Sequence, residues 1–242
     1  MKPSTAIFGG LIFGGFGVFT AAWTALFILR GELLNAVVAL GVSAFCFGLI
    51  IPMFAVVPGN VAPRVDVDDV GTTFRPDRAV DLPIQIALVG VVIAAAVYTI
   101  FAPAGMVTIP VPPVMRYWLP FTSGVVLLIS VRYVWRNFRR GSISYLRLTP
   151  SGFEFAQDWR PQYGDWDQVK DVTEEAPGQQ APTPGFVVCV MSDDSAPSVA
   201  ARSYTPNGRA LRELIRFYWK HPESRDELTD GRAVERLAQS LA

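Results

Sequence analysis

Four apolar runs, residues 6–29, 33–57, 84–102 and 118–135, decide most of what this chain can fold into. Each is long enough to cross ~30 Å of hydrocarbon at ~1.5 Å of rise per residue. The first follows Lys2 and contains the small residues Thr20-Ala21-Ala22, as a signal peptide does. Its apolar character continues through Trp23 to Leu29, well past the ~7–15 residues of a signal sequence, so it is expected as a retained span. The fourth carries Pro120 in its first turn, where a helix tolerates proline, and Arg132 near its end, where a long side chain reaches the interface. Hydrophobic residues make up 51% of the 242, above the roughly 45–50% of soluble domains, and the excess lies in these runs.

What the runs lack narrows function. Apart from Arg132, none contains Asp, Glu, Lys, Arg or His, the groups that proton relays and ion paths use, which argues against a pump or secondary transporter. They do contain Gly10-x-x-x-Gly14, Ala44-x-x-x-Gly48 and Gly90-x-x-x-Ala94, spacings that let backbones approach closely. These are expected to pack the four helices together rather than form a dedicated oligomer interface. Arg64, Arg75 and Arg78 in the 58–83 connection, and Arg136, Arg139 and Arg140 after the last run, outnumber the lone Arg116 of the 103–117 connection. Arginine accumulates on the inner side, so both termini are expected to be cytoplasmic.

Basic and acidic residues balance at 21 each, which leaves no electrostatic footprint for nucleic acid. Only Lys2, Lys170 and Lys220 are lysines, a bias toward arginine that suggests a GC-rich bacterial genome and hence a bacterial plasma membrane. Cys46 lies in an apolar run and Cys189 in a soluble segment, so no disulfide is expected.

The 58–83 connection holds a short alternating segment, Val65 to Phe74, that reads as two strands around a turn. Val65, Val67, Gly71, Phe74 and Asp77 match Leu146, Leu148, Gly152, Phe155 and Asp158 at one constant offset. Segment 64–81 is thus a candidate repeat of 145–162, each preceded by a pair of apolar runs.

Beyond the arginines the chain reads as a water-soluble domain. Strands are expected at 142–149 and 153–157 around Pro150-Ser151-Gly152, then at 160–164, 168–174, 186–192 and 198–204, with a loop at 176–185. Leu211, Leu214, Ile215 and Tyr218 recur at helical spacing after Thr205 or Asn207 as a cap, until His221-Pro222. Val234, Leu237, Ala238 and Leu241 mark a second short helix. An apolar helical stripe must cover the open end of a sheet, which predicts a partial β-barrel closed by a C-terminal helix.

The order strand, Leu148-Thr149-Pro150-Ser151-Gly152 turn, strand, Trp166-Asp167-Gln168-Val169, strands and a helix around 211–219, placed after a basic flank, resembles the bacterial pleckstrin-homology-like (PH-like) domains of actinobacterial membrane proteins. The resemblance covers 142 to about 221. It implies a membrane-anchored PH-like domain in which Trp166 and Val169 anchor the sheet. The four spans and the additional 64–81 hairpin depart from the simplest such arrangement. The expected architecture is therefore a transmembrane region over 1–135, including the loop 58–83, and a cytosolic PH-like domain over 136–242.

Little in the chain suggests catalysis. His221, the only histidine, sits where an imidazole can cap the carbonyls of a helix end. Asp165 and Asp167 flank Trp166, and Asp193-Asp194 form a pair, but both sets fall in turns, where Asp serves its own backbone. No catalytic residue, metal site or cofactor is assigned, and nucleotide and nucleophile motifs are missing from the sequence. Arg209, Arg212, Arg216 and Lys220 form one stripe on the last long helix. With Arg136, Arg139 and Arg140 it is the candidate contact surface, for anionic lipid or for a partner, although 141–242 holds more acids than bases. The reading is a non-enzymatic scaffold or accessory subunit. A lipid-headgroup-sensing or lipid-handling module is the alternative. Membrane lipid, a protein partner and a second copy of the chain are the candidate partners.

Overall fold

The computed structural model describes residues 3–56, 61–157, 160–174 and 185–241. The repeat match at Asp158, the end of the second run at Val57 and most of the 176–185 loop lie outside them. The chain divides into two compact units, one of Lys2–Met53 and Leu82–Gly141, the other of Phe54–Asp81 and Ser142–Ala242.

The first unit is helical: α1 (Pro3–Leu29), α2 (Leu33–Val56), α3 (Arg78–Phe101) and α4 (Met115–Arg140). All four are long and apolar enough to span a membrane. α4 runs further than its apolar stretch, so Arg136, Arg139 and Arg140 lie on the helix itself, which ends where Gly141 turns left-handed at φ 69°. Exposed Tyr117 and Trp118 near one end of α4 and Trp135 and Phe138 near the other mark two interfacial belts.

Small residues set the α2–α3 spacing. A Cβ on Gly41 would lie 2.5 Å from the Gly90 carbonyl oxygen, and one on Gly48 would lie 2.4 Å from Ala87 Cβ and 2.5 Å from the Pro83 oxygen. Two of the three small-residue spacings therefore hold α2 against α3. α1 meets α2 at Gly17 instead, whose carbonyl accepts from Ser43 Oγ at 3.0 Å. Gly48→Leu is expected to lower the temperature at which the detergent-solubilised protein aggregates. Gly15→Leu, whose Cβ would meet nothing within 4 Å, leaves that temperature unchanged.

The second unit is discontinuous in sequence, and the reason is one sheet. β1 (Arg64–Asp68) and β2 (Gly71–Arg75) form the hairpin of the α2–α3 connection, and β2 pairs with β3 (Tyr145–Leu148). β4 (Gly152–Ala156) and β5 (Gln162–Asp165) complete an antiparallel sheet in the order β1-β2-β3-β4-β5. A lone two-stranded hairpin is marginal in water, and this one gains a third strand and a core. Phe74 is fully buried among Leu146, Leu148, Phe155 and Trp166. β2 and β3 share this ladder although α3 and α4 separate them in sequence.

The two hairpins repeat one local geometry. Val65↔Phe74 corresponds to Leu146↔Phe155, and Val67↔Thr72 to Leu148↔Phe153, at the same constant offset. In one, Asp68 Oδ1 accepts from the Gly71 amide at 2.9 Å; in the other, Thr149 Oγ1 accepts from the Gly152 amide at 3.0 Å. Both glycines abut the next strand, where a Cβ would come within 2.2 Å of the Leu148 oxygen or 2.3 Å of the Gly164 oxygen. The candidate repeat thus extends from the residue pattern to register and turn geometry.

A second antiparallel sheet contains β6 (Val169–Thr173), β7 (Val187–Met191) and the short β8 (Ser198–Val199). The strands expected to form a partial barrel are divided between these two antiparallel sheets, and no closed barrel is formed among the described residues. At the seam, side chains replace a backbone ladder: Gln162 Oε1 accepts from the Ser198 amide at 3.0 Å, and Gln157 Oε1 from the Ala200 amide at 2.7 Å. The strand expected to run to Tyr204 stops at Val199, where the chain turns through a short 3-10 segment, Ala201–Ser203, that buries Tyr204.

α5 (Arg209–Lys220), α6 (Glu227–Asp230) and α7 (Arg232–Leu241) complete the unit. α5 buries Leu211, Leu214, Ile215 and Tyr218 in the core shared by both sheets. Neither predicted residue takes the cap position, although the Thr205 hydroxyl accepts from the Leu211 amide in the first turn at 3.4 Å. Gly208, at φ 71°, takes the cap position, and a Cβ there would meet Ala201 at 2.8 Å.

Candidate functional site

The predicted basic stripe exists as a row, but it is not a bare cationic face. Arg209 Nε donates to Glu213 Oε1 at 2.7 Å one turn along the helix. Arg212 pairs with Glu174 and Arg216 lies 3.7 Å from Asp171, so β6 and the residue after it supply the counter-charges. Lys220 Nζ stands 6.0 Å from the Trp219 ring centroid. Trp219 itself fastens α5 to β6 by donating to the Val169 oxygen at 3.1 Å. Arg136 and Arg139, on α4, lie over the rings of Tyr133 and Trp135 at 4.3 and 5.0 Å, the arrangement of cations stacked on aromatics at an interface. Arg140 sits in the last turn beside Arg139.

Of the carboxylates singled out in the sequence, Asp165 precedes the Trp166–Gln168 turn without capping it by side chain, and the other three are engaged in turns and ion pairs. Asp193 accepts from the Ser195 hydroxyl at 2.6 Å and from its amide at 3.0 Å, and these bonds hold its carboxyl below the usual range. Asp194 lies 3.3 Å from Lys170, and the highly exposed Asp167 lies 3.8 Å from Arg225. Among the described residues no group of three or more His, Cys, Asp or Glu is placed to hold a metal ion. Cys46 and Cys189 are both free and buried.

His221 does not cap α5 with its ring, as its position had suggested. Its Nδ1 is 3.0 Å from Glu223, and the ring packs on Phe217 at 4.6 Å. Arg225 takes the capping role, donating from Nε to the Tyr218 oxygen at 3.0 Å while its guanidinium lies 5.6 Å from the Trp166 ring centre. A five-donor fork with a longer reach satisfies helix-end carbonyls better than an imidazole held against a neighbouring ring. Trp166 is buried and donates to the Thr149 oxygen at 2.9 Å, which ties it to the β3–β4 turn. Trp166 and Val169 thus act in the core, as the resemblance implied.

Two arrangements were not foreseen. The first is a buried polar cluster where the hairpin, the start of α3 and the approach to β3 meet. Asp81 pairs with Arg64 and accepts from the Ile143 amide at 2.9 Å. Ser144 Oγ lies 3.2 Å from the Tyr204 hydroxyl, whose pKa is pushed up by burial. An aspartate just ahead of the apolar run at 84–102, in what is the first turn of α3, was a signal that could have found it. The second is a half-open cavity of about 570 Å³ among the helices of the helical unit. Phe19, Trp23 and Phe27 of α1, Val42 and Phe45 of α2 and Tyr98 of α3 line it, with α4 and the α3–α4 connection completing the wall.

No protein-family profile, curated protein or solved structure matches this chain.

Proposed function

We propose that the chain is a non-enzymatic, multi-pass protein of a bacterial plasma membrane with both termini cytoplasmic. Its second unit is a PH-like domain that serves as a scaffold or accessory subunit through protein contacts. The observation that carries this reading is the neutralised stripe: Arg209, Arg212 and Arg216 each face a carboxylate of the same domain. Anionic lipid would have to displace those partners, and exposed pairs are screened and weak contributors in either direction. The PH-like reading draws support from the element order β3, Thr149–Gly152 turn, β4, Trp166–Val169, strands and α5. The 64–75 hairpin adds two strands to that order.

The test compares hydrogen exchange over 209–220 in full-length protein held in neutral and in anionic lipid discs. Equal protection is the expected result, and purification in mild detergent is expected to bring down one recurrent stoichiometric protein. Protection gained only in anionic discs, with the chain isolated alone, would contradict the scaffold and favour the headgroup-sensing alternative. The cavity in the helical unit gives the lipid-handling form of that alternative a separate basis.

A further inference from the structure

The cavity lies toward the end of the helical unit where α1 joins α2 and α3 joins α4, since Phe27, Val38, Tyr98 and Leu119 all line it. The α3–α4 connection closes on it through a reciprocal pair. Asn35 Nδ2 donates to Thr108 Oγ1 at 2.8 Å, and the Thr108 amide donates to Asn35 Oδ1 at 2.9 Å. Asn35 is 2% exposed. This pair sets the next residues, Ile109, Pro110 and Val111, into the wall.

Two of the wall hydroxyls, those of Thr20 and Thr122, are turned back onto their own helices. Thr20 Oγ1 donates to the Phe16 and Gly17 oxygens at 2.9 and 3.0 Å, and Thr122 Oγ1 to the Leu119 oxygen at 3.1 Å. The remaining lining is mainly aliphatic and aromatic. A water molecule needs two to four polar partners to settle in a cavity, and this wall is poor in them. A volume of about 570 Å³ falls within the roughly 300–1,000 Å³ of small-molecule sites. The medium around spanning helices is hydrocarbon.

We infer that this cavity holds one hydrocarbon chain of a bilayer lipid, seated among α1–α4 beneath the connection latched by Asn35 and Thr108. The aromatic side chains grip the chain by dispersion contact, and the headgroup stays outside. The site is separate from the proposed scaffold surface on α5, so either can fail without the other.

Full-length protein is placed in discs of phosphatidylcholine carrying a photoactivatable diazirine in one acyl chain, and in parallel discs doped with a diazirine-bearing polyprenol. After illumination the adducts are mapped by mass spectrometry. Acyl adducts are expected to concentrate on Val42 and Phe45 over outward-facing Leu40 and Leu128, and to be lost from the lining in Val42→Trp, which fills the cavity. Val126→Trp fills it from α4 and gives the same loss should the first variant fold poorly. Adducts spread evenly over lining and outer faces would overturn the inference. Lining adducts from polyprenol alone would overturn the assignment to a bilayer lipid.

Discussion

Residues 141–242 produced alone are expected to come out of solution as aggregate or to remain without cooperative structure. The fragment keeps β3 to β8 and all three terminal helices but loses the strand that pairs with β3. Loss of β2 leaves Leu146 and Leu148 on an open edge, a template for association with other chains. It also empties the place of Phe74, fully buried in the core, and removes Thr72, whose hydroxyl donates to the Leu228 oxygen at 2.6 Å. Truncating one buried phenylalanine to alanine costs about 3–5 kcal/mol. Whole domains have only about 5–15 kcal/mol of stability. Losing the hairpin therefore exceeds what such a domain can absorb. Joining 61–81 to 142–242 through a short Gly/Ser linker should restore a soluble, cooperatively unfolding protein. The linker can be short because Asp81 Oδ1 and the Ile143 amide are 2.9 Å apart. Circular dichroism and size-exclusion chromatography of the fragment and of the joined protein check this. A well-folded monomeric 141–242 would show that the hairpin is dispensable.

Glu227→Ala is expected to detach the terminal helices. Glu227 is nearly buried, receives Arg236 through both carboxylate oxygens at 2.8 and 2.9 Å, and accepts from the Tyr218 hydroxyl at 3.2 Å. Arg236 in turn lies over Phe217, its Cζ 3.9 Å from the ring centroid. Removing Glu227 leaves the buried Tyr218 hydroxyl without its acceptor, an effect of about 1–3 kcal/mol, while Arg236, whose side chain is 37% exposed, is partly compensated by water. Hydrogen exchange of α5 to α7 in the full-length protein should report this as loss of protection confined to that end of the domain. The hydrogen bonds from Arg236 hold the Glu227 carboxyl below its ordinary value. Its contribution is then fully present above the unfolded carboxyl pKa of about 4.3 and fades as pH falls through the lower folded value. Protection of α7 in the wild type should accordingly drop below about pH 4, while Glu227→Gln should flatten that dependence.

How much of this was legible in the sequence depends on how local the cause was. Membrane spans follow from uninterrupted apolar length, and the hairpins from alternation around Gly71 and Gly152, both local. That β2 would choose β3 as its neighbour was hidden, because α3 and α4 separate the two strands in sequence. A physical hint was present, since a hairpin with a large aromatic at Phe74 cannot stand alone in water. The stripe of Arg209, Arg212 and Arg216 was legible as a row by its spacing. Its partners Glu174 and Asp171 were not, because they come from another element. His221 was misjudged because position alone ranked it first, while Arg225 reaches back from four residues further on to bond the helix end. The cavity had no sequence signature, since its aromatic lining reads like any other lipid-compatible surface.

The central claim is that the α2–α3 connection supplies the strand beside β3. A cysteine pair tests it most directly, in full-length protein in membranes with Cys46→Ala and Cys189→Ala as background. Thr73 and Arg147 are direct cross-strand partners, whereas Thr73 and Glu154 lie two strands apart. Mild oxidation of Thr73→Cys/Arg147→Cys should join the two halves rapidly, so that cleavage of the chain between α3 and α4 fails to separate them until a reductant is added. Thr73→Cys/Glu154→Cys should remain unjoined. Equal behaviour of the two pairs, or free separation of the first, would contradict the shared sheet.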